Sequence, residues 1–426
     1  MIKPMQNKLI QPVKGTRDFY PADFAFQKWY YRNIQDICQK YGFEEYEGPI
    51  LEPLELYAAK SGDELVKRQA FTLVDRGGET LVLRPEMTPS LARMVAQKES
   101  ELNFPVKWFT YGRRYRYEKP QRGRGREFFQ WDCDILGLDS VEADAEVITV
   151  AATMYSRAGL NPKEAIIKVN DRQYIQSALS EIGIDNTMYL SVIKIIDKAD
   201  KVTSNDFIAM FVDIGLNTNQ IDKIQTLLQD KDGYKKSEWL SNLFDRIKIN
   251  GVADFVVFDP TIVRGLDYYT KTVFEGWDLK GKFRAIWGGG RYDNLTADVG
   301  SKSKIPGVGF AMGDMTLTEV LIANGRYPVL KPSPTQILVT VFSSDYYKQS
   351  YKLTDTLRKN SINAETYLDP TTKLDKQIKY ADKKGIPYVA IIGPDEAAKG
   401  LVTLKNLATR DQQTIKQEEI SKFLRF

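Results

Sequence analysis

Residues 111–137 of this sequence have types and spacing that could do chemistry. Side chains alternate between the two faces of a strand, so polar residues at every second position share a face. One face carries guanidinium, carboxylate and amide groups: Arg114, Arg116 and Glu118 in the first half, and Gln130, Asp132 and Asp134 in the second. Arginine forks match phosphate oxygens, and carboxylates match an ammonium group or a ring N–H. This face is therefore either a solvated sheet surface or a site that binds an anion beside a cation.

The same stretch contains the elements that would position these groups. Two runs rich in Tyr, Phe and Trp flank the polar segment 119–126, in which arginine alternates with glycine. Aromatic residues favour strands, and a glycine-rich polar segment between two such runs is typical of a turn. We predict a long antiparallel hairpin with a basic tip, whose apolar face packs against the rest of the protein.

The composition predicts a globular protein of two or three domains. The chain has 426 residues, 42% of them hydrophobic and 27% charged, which is too long for one ordinary core. It has no apolar run near the roughly 18 residues of a membrane-spanning helix, and its N-terminus has no apolar signal region. The two cysteines, Cys38 and Cys133, are far apart in sequence and fit a reducing compartment. We expect a cytoplasmic protein without a membrane span.

Histidine is absent from the sequence. Acid–base catalysis by imidazole, Ser–His or Cys–His nucleophiles and histidine metal sites are therefore excluded. Any chemistry must use arginine, lysine, carboxylates, tyrosine and a bound metal ion. Residues 331–426 hold 16 basic and 11 acidic residues, a net +5, whereas the preceding 330 residues hold 44 and 45, a net −1. The basic C-terminal part predicts a polyanionic partner.

Hydrophobic periodicity and turn residues predict the elements of the first 325 residues. The first elements are a helix that ends near Tyr41, an edge strand 43–52 that carries Pro49, and a hairpin of strands 71–75 and 80–84. They are followed by a helix with Thr88 as N-cap and Pro89 in its first turn, a helix 141–158 and a strand 165–170. The last are a helical region 171–248, strands from Phe255 onwards, and a glycine-packed strand 306–313 before a helix.

The last part of the chain predicts a separate α/β domain. Residues 323–334 contain Asn324-Gly325 and three prolines, which is typical of a linker. Strands are predicted at 337–342, 362–368, 387–392 and 401–404, with helices near 345–358 and 372–384. In the second helix we expect a buried stripe of Leu374, Ile378 and Ala381, and a face for solvent or RNA made of Lys373, Lys376, Lys383 and Lys384.

Several motifs resemble those of the class II aminoacyl-tRNA synthetases, and in particular the histidyl-tRNA synthetase family. The core of the hairpin, residues 116–121 (RYEKPQ), resembles motif 2 in its histidyl form, and residues 264–269 (RGLDYY) resemble a signature of that family. Residues 14–21 (KGTRDFYP), 288–295 (GGGRYDNL) and 400–405 (GLVTLK) are also similar to family elements. The predicted strand 43–52 looks like motif 1, which forms the dimer interface in the family.

This resemblance implies an α+β fold: a class II synthetase-like antiparallel sheet with flanking helices and a helical insertion, plus a C-terminal α/β anticodon-binding-like domain. The implied division is a catalytic domain in two parts, 1–170 and 249–325, around a helical insertion at 171–248, then a linker at 326–334 and an anticodon-binding domain at 335–426. The implied activity is ATP-dependent ligation of L-histidine to tRNA(His) through histidyl-adenylate, with Mg²⁺, by a homodimer. The alternatives are a synthetase-like regulatory subunit of histidine biosynthesis and a catalytically inactive tRNA-binding paralogue.

The resemblance also implies roles for individual residues. Arg116 and Arg264 would neutralise charge on the α-phosphate, and Glu118 and Arg124 would complete the ATP site, with Mg²⁺ on the phosphates. The histidine site would consist of Glu86, Thr88 and Gln130 for the α-amino group, Asp134 and Tyr269 for the imidazole ring, and the adjacent Tyr268. Asp134 stands where many relatives have glutamate, so its reach is shorter by about one methylene and a bridging water could complete the contact.

At one position of the family pattern this chain has other residues. Many class II synthetases carry an arginine just after the motif 3 strand, where it stacks on adenine and meets the γ-phosphate. This chain has Gly313, Asp314, Met315 and Thr316 there. Either ATP is held in another way or catalysis is impaired.

Overall fold

The computed structural model describes residues 10–58, 68–263, 268–280, 285–330 and 333–424. These residues form two compact units. The first contains the described residues up to Asp18 and those from Tyr30 to Pro328, and the second contains Phe19–Trp29 and the described residues from Val329 onwards.

An eight-stranded sheet organises the first unit. In chain order its strands are β1 (Glu44–Glu45), β5 (Val106–Tyr115), β6 (Glu127–Leu136), β7 (Ala165–Asp171), β8 (Val256–Phe258), β9 (Thr272–Asp278), β10 (Ala285–Tyr292) and β11 (Gly307–Gly313). Their spatial order is β1-β5-β6-β11-β10-β9-β7-β8. The strands from β5 to β7 in this order pair antiparallel, and the edge pairs β1/β5 and β7/β8 are parallel. A separate three-stranded antiparallel sheet contains β2 (Leu51–Pro53), β3 (Phe71–Val74) and β4 (Thr80–Leu83).

Ten helices begin within the first unit, and one more, α1 (Pro21–Lys40), runs from the second unit into the first, counting the described residues only. The ten are α2 (Leu54–Ala58), α3 (Thr88–Gln97), α4 (Val141–Arg157), α5 (Arg172–Ile182), α6 (Asn186–Ile196), α7 (Ser204–Asp213), α8 (Thr218–Gln229), α9 (Glu238–Ile249), α10 (Leu295–Asp298) and α11 (Asp314–Ala323). We call α5 to α9 the helical segment. Among the helices that the structure describes, none has the length and apolar character needed to cross a membrane.

The long hairpin is confirmed. Strands β5 and β6 pair in register from Val106↔Leu136 to Tyr115↔Glu127. The aromatic face packs as expected, since Trp131 is fully buried and lies edge-on to Phe310 of β11, with ring centroids 4.7 Å apart. The hairpin therefore holds the polar face of β6 in the middle of the sheet.

Two local predictions are wrong. The predicted strand 43–52 is broken into β1 and β2, which belong to different sheets. Pro49 lies in the break, where its missing N–H could not have supported a continuous ladder. Thr88 is the first residue of α3 and not its N-cap; the N-cap is Met87, which makes no side-chain capping bond.

The second unit contains a mixed five-stranded sheet of order β13-β12-β14-β15-β16. Its strands are β12 (Ile337–Val339), β13 (Ala364–Thr366), β14 (Tyr388–Ile391), β15 (Leu401–Asn406) and β16 (Gln412–Lys416), and its helices after Val329 are α12 (Tyr347–Lys359), α13 (Leu374–Lys383), α14 (Pro394–Lys399) and α15 (Ile420–Phe423). The α/β prediction is confirmed, although β16, α14 and α15 were not predicted. On α13 the buried residues are Gln377 and Ala381, because Gln377 bonds to the backbone of Val341, and the predicted Leu374 and Ile378 are half-buried.

Candidate active site

A cavity of about 410 Å³ lies against the polar face of the eight-stranded sheet. Its walls come from β6, β9, β10, β11, the start of α11, the residues around the start of α3 and the tip of the β5–β6 hairpin. The structure places eight predicted site residues in these walls: Glu86, Thr88, Arg116, Glu118, Arg124, Gln130, Asp134 and Tyr269. Tyr268 is buried beside them, and Arg264 lies outside the described residues.

Three buried acceptor oxygens are the most informative feature of the cavity. They are Oε1 of Gln130, Oδ1 of Asp132 and Oδ2 of Asp134, and none has a hydrogen-bond partner in the described part of the chain. A buried polar atom without a partner costs free energy, so native proteins rarely keep one without a reason. A row of three acceptors on one strand fits a ligand with several N–H donors.

Asp134 is held in place by two features of neighbouring strands. Its Oδ1 accepts a 2.7 Å hydrogen bond from the hydroxyl of Tyr292 on β10. Gly309 on β11 leaves room for the carboxyl group, because a Cβ there would lie 1.8 Å from Oδ1. Burial raises the pKa of Asp134 well above its ordinary value, and the nearby Asp132 adds to this effect. Burial thus favours the protonated form of this carboxyl group more than water does.

Asp132 has an internal partner of its own. The Nη2 of Arg114 donates to Oδ2 of Asp132 at 2.7 Å, and both side chains are buried. Burial nevertheless raises the pKa of Asp132, and Arg114 acts against that rise. Arg114 thus serves the structure of the hairpin, and it is not part of the cavity wall.

Glu86 and two tyrosines form the next part of the wall. The hydroxyl of Tyr268 donates to Oε2 of Glu86 at 3.2 Å. Tyr269 packs under β10, where a Cβ on Gly290 would lie 2.9 Å from its ring. The glycine run of β10 is therefore a strand that lets aromatic side chains approach closely.

The far end of the cavity carries its cations. Arg116 donates from Nε to the carbonyl of Pro85 at 2.9 Å, and its guanidinium lies 5.4 Å from the ring centroid of Phe128. The side chain of Arg124 at the hairpin tip is 58% exposed, and its Nη1 lies 3.5 Å from Oε2 of Glu118. Among the described residues of the wall, Arg116 and Arg124 are the only cations. This end suits a phosphate chain beside a flat ring.

The motif 3 position contributes contacts of another kind. The hydroxyl of Thr316 donates to the carbonyl of Gly123 at the hairpin tip, at 3.2 Å. Asp314 accepts from Arg17 at 2.8 Å and from the backbone N–H of Phe129 at 3.0 Å. These residues fasten the hairpin to α11, where many class II synthetases place a phosphate-binding arginine.

Sequence reasoning assigned no role to several residues of this wall: Phe128, Asp132, Glu275, Tyr292 and Thr316. Asp132 could have been found, because it shares the strand face of Gln130 and Asp134. Tyr292 lies in the stretch 288–295 noted in the sequence, but its bond to Asp134 could not be predicted, because the two residues are 158 positions apart. No group of three or more Cys, Asp or Glu side chains in the described residues has the geometry to hold a metal ion.

Comparisons with known proteins agree with this geometry. A family model described as "Histidyl-tRNA synthetase" matches residues 15–317, and one described as "Anticodon binding domain" matches residues 336–426. The chain is 35% identical to the histidine–tRNA ligase of Leptospira biflexa, over 97% of each chain, and 33% identical to that of Pyrococcus horikoshii, over 97% of this chain and 98% of the other. In structure it is similar to the histidyl-tRNA synthetase of Nostoc, with a TM-score of 0.84, 26% identity, and coverage of 97% and 99%.

Proposed function

The chain belongs to the histidyl-tRNA synthetase family, and we propose that its cavity activates L-histidine with ATP and transfers it to tRNA(His). The row of free acceptors on β6 carries this proposal. Histidine offers an α-ammonium group and a ring N–H, which are the donors that Gln130, Asp132 and Asp134 lack. Glu86 and Thr88 complete the ammonium site, and Tyr269 faces the ring together with Asp134.

The first reaction step needs no proton transfer from the protein. The histidine carboxylate attacks the α-phosphorus of ATP, the bond to the bridging oxygen breaks, and pyrophosphate leaves. A terminal ribose hydroxyl of the tRNA then attacks the carbonyl carbon of the adenylate, the bond from that carbon to the phosphate oxygen breaks, and AMP leaves as the hydroxyl proton passes to an oxygen of its phosphate group. Alignment of the reactants and neutralisation of the phosphate charge are sufficient for such a displacement, which suits a chain without histidine.

Arginines supply the charge at the nucleotide end. Arg116 meets the α-phosphate, with Arg264 as a second donor, Phe128 packs on the adenine ring, Glu118 accepts from its amino group, and Arg124 meets the outer phosphates. Mg²⁺ bound to those phosphates would neutralise part of their charge. The residues present fit such an ion, because Mg²⁺ needs few protein carboxylates when phosphates and water complete its shell.

The two alternative functions receive less support. A regulatory subunit of histidine biosynthesis needs no tRNA, whereas this chain has an anticodon-binding domain and matches histidine–tRNA ligases along nearly their whole length. An inactive paralogue is less supported because the relatives that match along nearly the whole chain are named as histidine–tRNA ligases. The acceptor row is intact in this chain.

Assembly and location are also part of the proposal. Exposed apolar side chains lie on or next to the three-stranded sheet: Ile50, Leu51, Leu73 and Val74. Exposed apolar side chains on this sheet support a homodimer that forms through it. Two buried free thiols and the need for tRNA and ATP support a cytoplasmic location. We keep the division into catalytic parts 1–170 and 249–325, an insertion 171–248, a linker 326–334 and an anticodon-binding domain 335–426.

ATP–pyrophosphate exchange with each amino acid in turn tests the function. We expect exchange with histidine alone. Asp134→Ala should raise the KM for histidine by about 10- to 100-fold, because a ring N–H loses its acceptor, with little change in the KM for ATP. Arg264→Ala should lower the exchange rate by about 10²–10³, since a cation aimed at developing charge acts mainly in the transition state.

Two results would overturn these assignments. Wild-type protein that shows no exchange with histidine at any Mg²⁺ concentration would be an inactive paralogue. An unchanged KM for histidine in folded Asp134→Ala would remove Asp134 from the ring site and leave the function standing.

A further inference from the structure

The stretch from Tyr269 to Thr272 joins the cavity to β9, and it is fastened from the helical segment. The guanidinium of Arg172, the first residue of α5, donates from Nη1 to the carbonyl of Tyr269 at 2.7 Å. The backbone N–H of the same arginine donates to the carbonyl of Lys271 at 3.1 Å. A charge-assisted bond to a carbonyl is stronger than a neutral one, so Arg172 restrains the backbone directly at Tyr269.

A second residue of the helical segment fastens the other end of this stretch. The indole N–H of Trp239 on α9 donates to the hydroxyl of Thr272 at 2.8 Å. That hydroxyl donates in turn to the buried carboxyl group of Asp144 on α4, at 2.5 Å. Asp144 also pairs with the buried Arg291 of β10. The helical segment thus connects to both strands that border the ring site.

The ring and the backbone of Tyr269 are also held in place by β10. Its ring lies against β10 below Gly290, and the guanidinium of Arg172 lies 5.9 Å from the ring centroid. The backbone N–H of Thr270 donates to the carbonyl of Arg291 at 2.7 Å. A backbone held on both sides places the tyrosine hydroxyl reproducibly, and a shift near 1 Å in a positioning group can change a rate or an affinity greatly.

We infer that Arg172 is a positioning residue for Tyr269, and that the helical segment sets the geometry of the imidazole subsite through Arg172 and Trp239. The inference rests on the proposed function, because it assigns to Tyr269 a contact with the ring of histidine. It adds a structural connection by which a change in the helical segment would alter recognition of the amino acid at the sheet.

The test measures the KM for histidine in ATP–pyrophosphate exchange with the full-length protein. Arg172→Ala should raise this KM about tenfold and leave the KM for ATP within about twofold, because only the ring site loses its restraint. Arg172→Lys keeps a charged donor and should recover most of the loss. Trp239→Phe keeps an aromatic ring, removes the N–H and should raise the KM for histidine to a smaller extent.

A double-mutant cycle separates positioning from general stability. In a Tyr269→Phe background the hydroxyl is absent, so Arg172→Ala should raise the KM for histidine by no more than about twofold further. The matched control is Arg246→Ala, which removes an arginine of α9 that bonds to Glu142 at 3.1 Å and does not contact the Tyr269 stretch. It should leave both KM values unchanged, and melting temperatures confirm that each variant is folded.

An unchanged KM for histidine in folded Arg172→Ala, or an equal effect of Arg172→Ala with and without the Tyr269 hydroxyl, overturns the inference and leaves the proposed function intact. If Arg172→Ala does not fold, Trp239→Phe decides, and a wild-type KM for histidine in that variant overturns the inference. Wild-type protein without histidine-dependent exchange overturns the inference together with the function.

Discussion

Asp134 is a carboxyl group that folding removes from water. It lies on the central strand β6, with one oxygen bonded to Tyr292 and the other facing the cavity. Burial raises its pKa because the charged form loses hydration that a single tyrosine does not replace. An ammonium group or a protonated ring in the cavity would restore the missing partner. Ionisation of Asp134 therefore destabilises the protein, and the proposed contact with histidine would offset that cost.

This cost predicts a pH dependence of stability. The unfolded chain releases the Asp134 proton near pH 4, at about the ordinary aspartate value, whereas the folded chain keeps it to higher pH. In that window the folded state binds more protons, so the free energy of unfolding contributed by this group falls as pH rises. Asp134→Asn cannot ionise and should lose less stability than wild-type protein as pH rises above about 4.

Denaturant unfolding at several pH values measures this difference. The exposed Asp213→Asn provides a control that should follow the wild-type curve. Parallel curves for wild-type protein and Asp134→Asn would show that Asp134 ionises normally in the folded state.

At the scale of elements, the hairpin tip and α11 act as one assembly. Thr316 holds the carbonyl of Gly123, and Arg122 pairs with Glu319 at 2.7 Å. The missing motif 3 arginine is thus replaced by contacts that hold the tip, and the tip carries Arg124. We therefore propose that the arginines of the hairpin and Arg264 neutralise the phosphate charge, while contacts with α11 hold the tip.

Removal of this contact should weaken ATP binding. Thr316→Val keeps the shape of the side chain and removes the donor to Gly123. Loss of one neutral hydrogen bond of about 1 kcal/mol corresponds to roughly a fivefold rise in the KM for ATP. Thr318→Val is the matched control, because its hydroxyl bonds to the carbonyl of Asp314 within the same helix. Equal effects of the two substitutions would mean that the tip does not depend on Thr316.

At the scale of the whole molecule, nucleotide chemistry and basic charge are separated along the chain. The cavity belongs to the first unit, whereas the positive excess belongs to residues 331–426, where Lys373, Lys376 and Lys383 are exposed on or beside α13. A polyanion gains affinity from such lysines without any change in the cavity. We therefore expect RNA affinity and adenylate formation to depend on different residues.

Replacing these three lysines with alanine should weaken tRNA binding and leave pyrophosphate exchange unchanged. The slope of log affinity against log salt should become less steep by about two to three units, because each lysine releases about one counterion. Replacement of the same lysines with arginine preserves the charge and should preserve both values. An unchanged salt slope in the alanine variant would place the RNA contact elsewhere.

The absence of histidine from all 426 residues predicts a property of synthesis. A chain without histidine codons can be translated when charged tRNA(His) is scarce. In histidine-starved cells its synthesis should persist relative to that of a variant with three exposed substitutions, Gln39→His, Gln97→His and Asn219→His. Ribosome profiling measures both, and an equal decline would refute the idea.

The sequence by itself determined the features that depend on neighbouring residues. Alternation with period two placed Gln130, Asp132 and Asp134 on one face of a strand, and the glycine-rich tip between aromatic runs predicted the hairpin. These signals are local, because side-chain direction and turn formation depend on residues only a few positions apart. The role of Arg264 stays a prediction, since that residue lies outside the described part of the chain.

Only the tertiary structure decided which groups are partners. Arg114 looked equivalent to Arg116 in sequence, but it is buried against Asp132. The bond from Arg172 to Tyr269 joins residues 97 positions apart. The strand predicted at 43–52 is interrupted at Pro49, and its two halves pair with strands of different sheets that lie further along the chain. Such contacts follow from how the sheet closes over distant segments, and no local pattern in the sequence encodes that geometry.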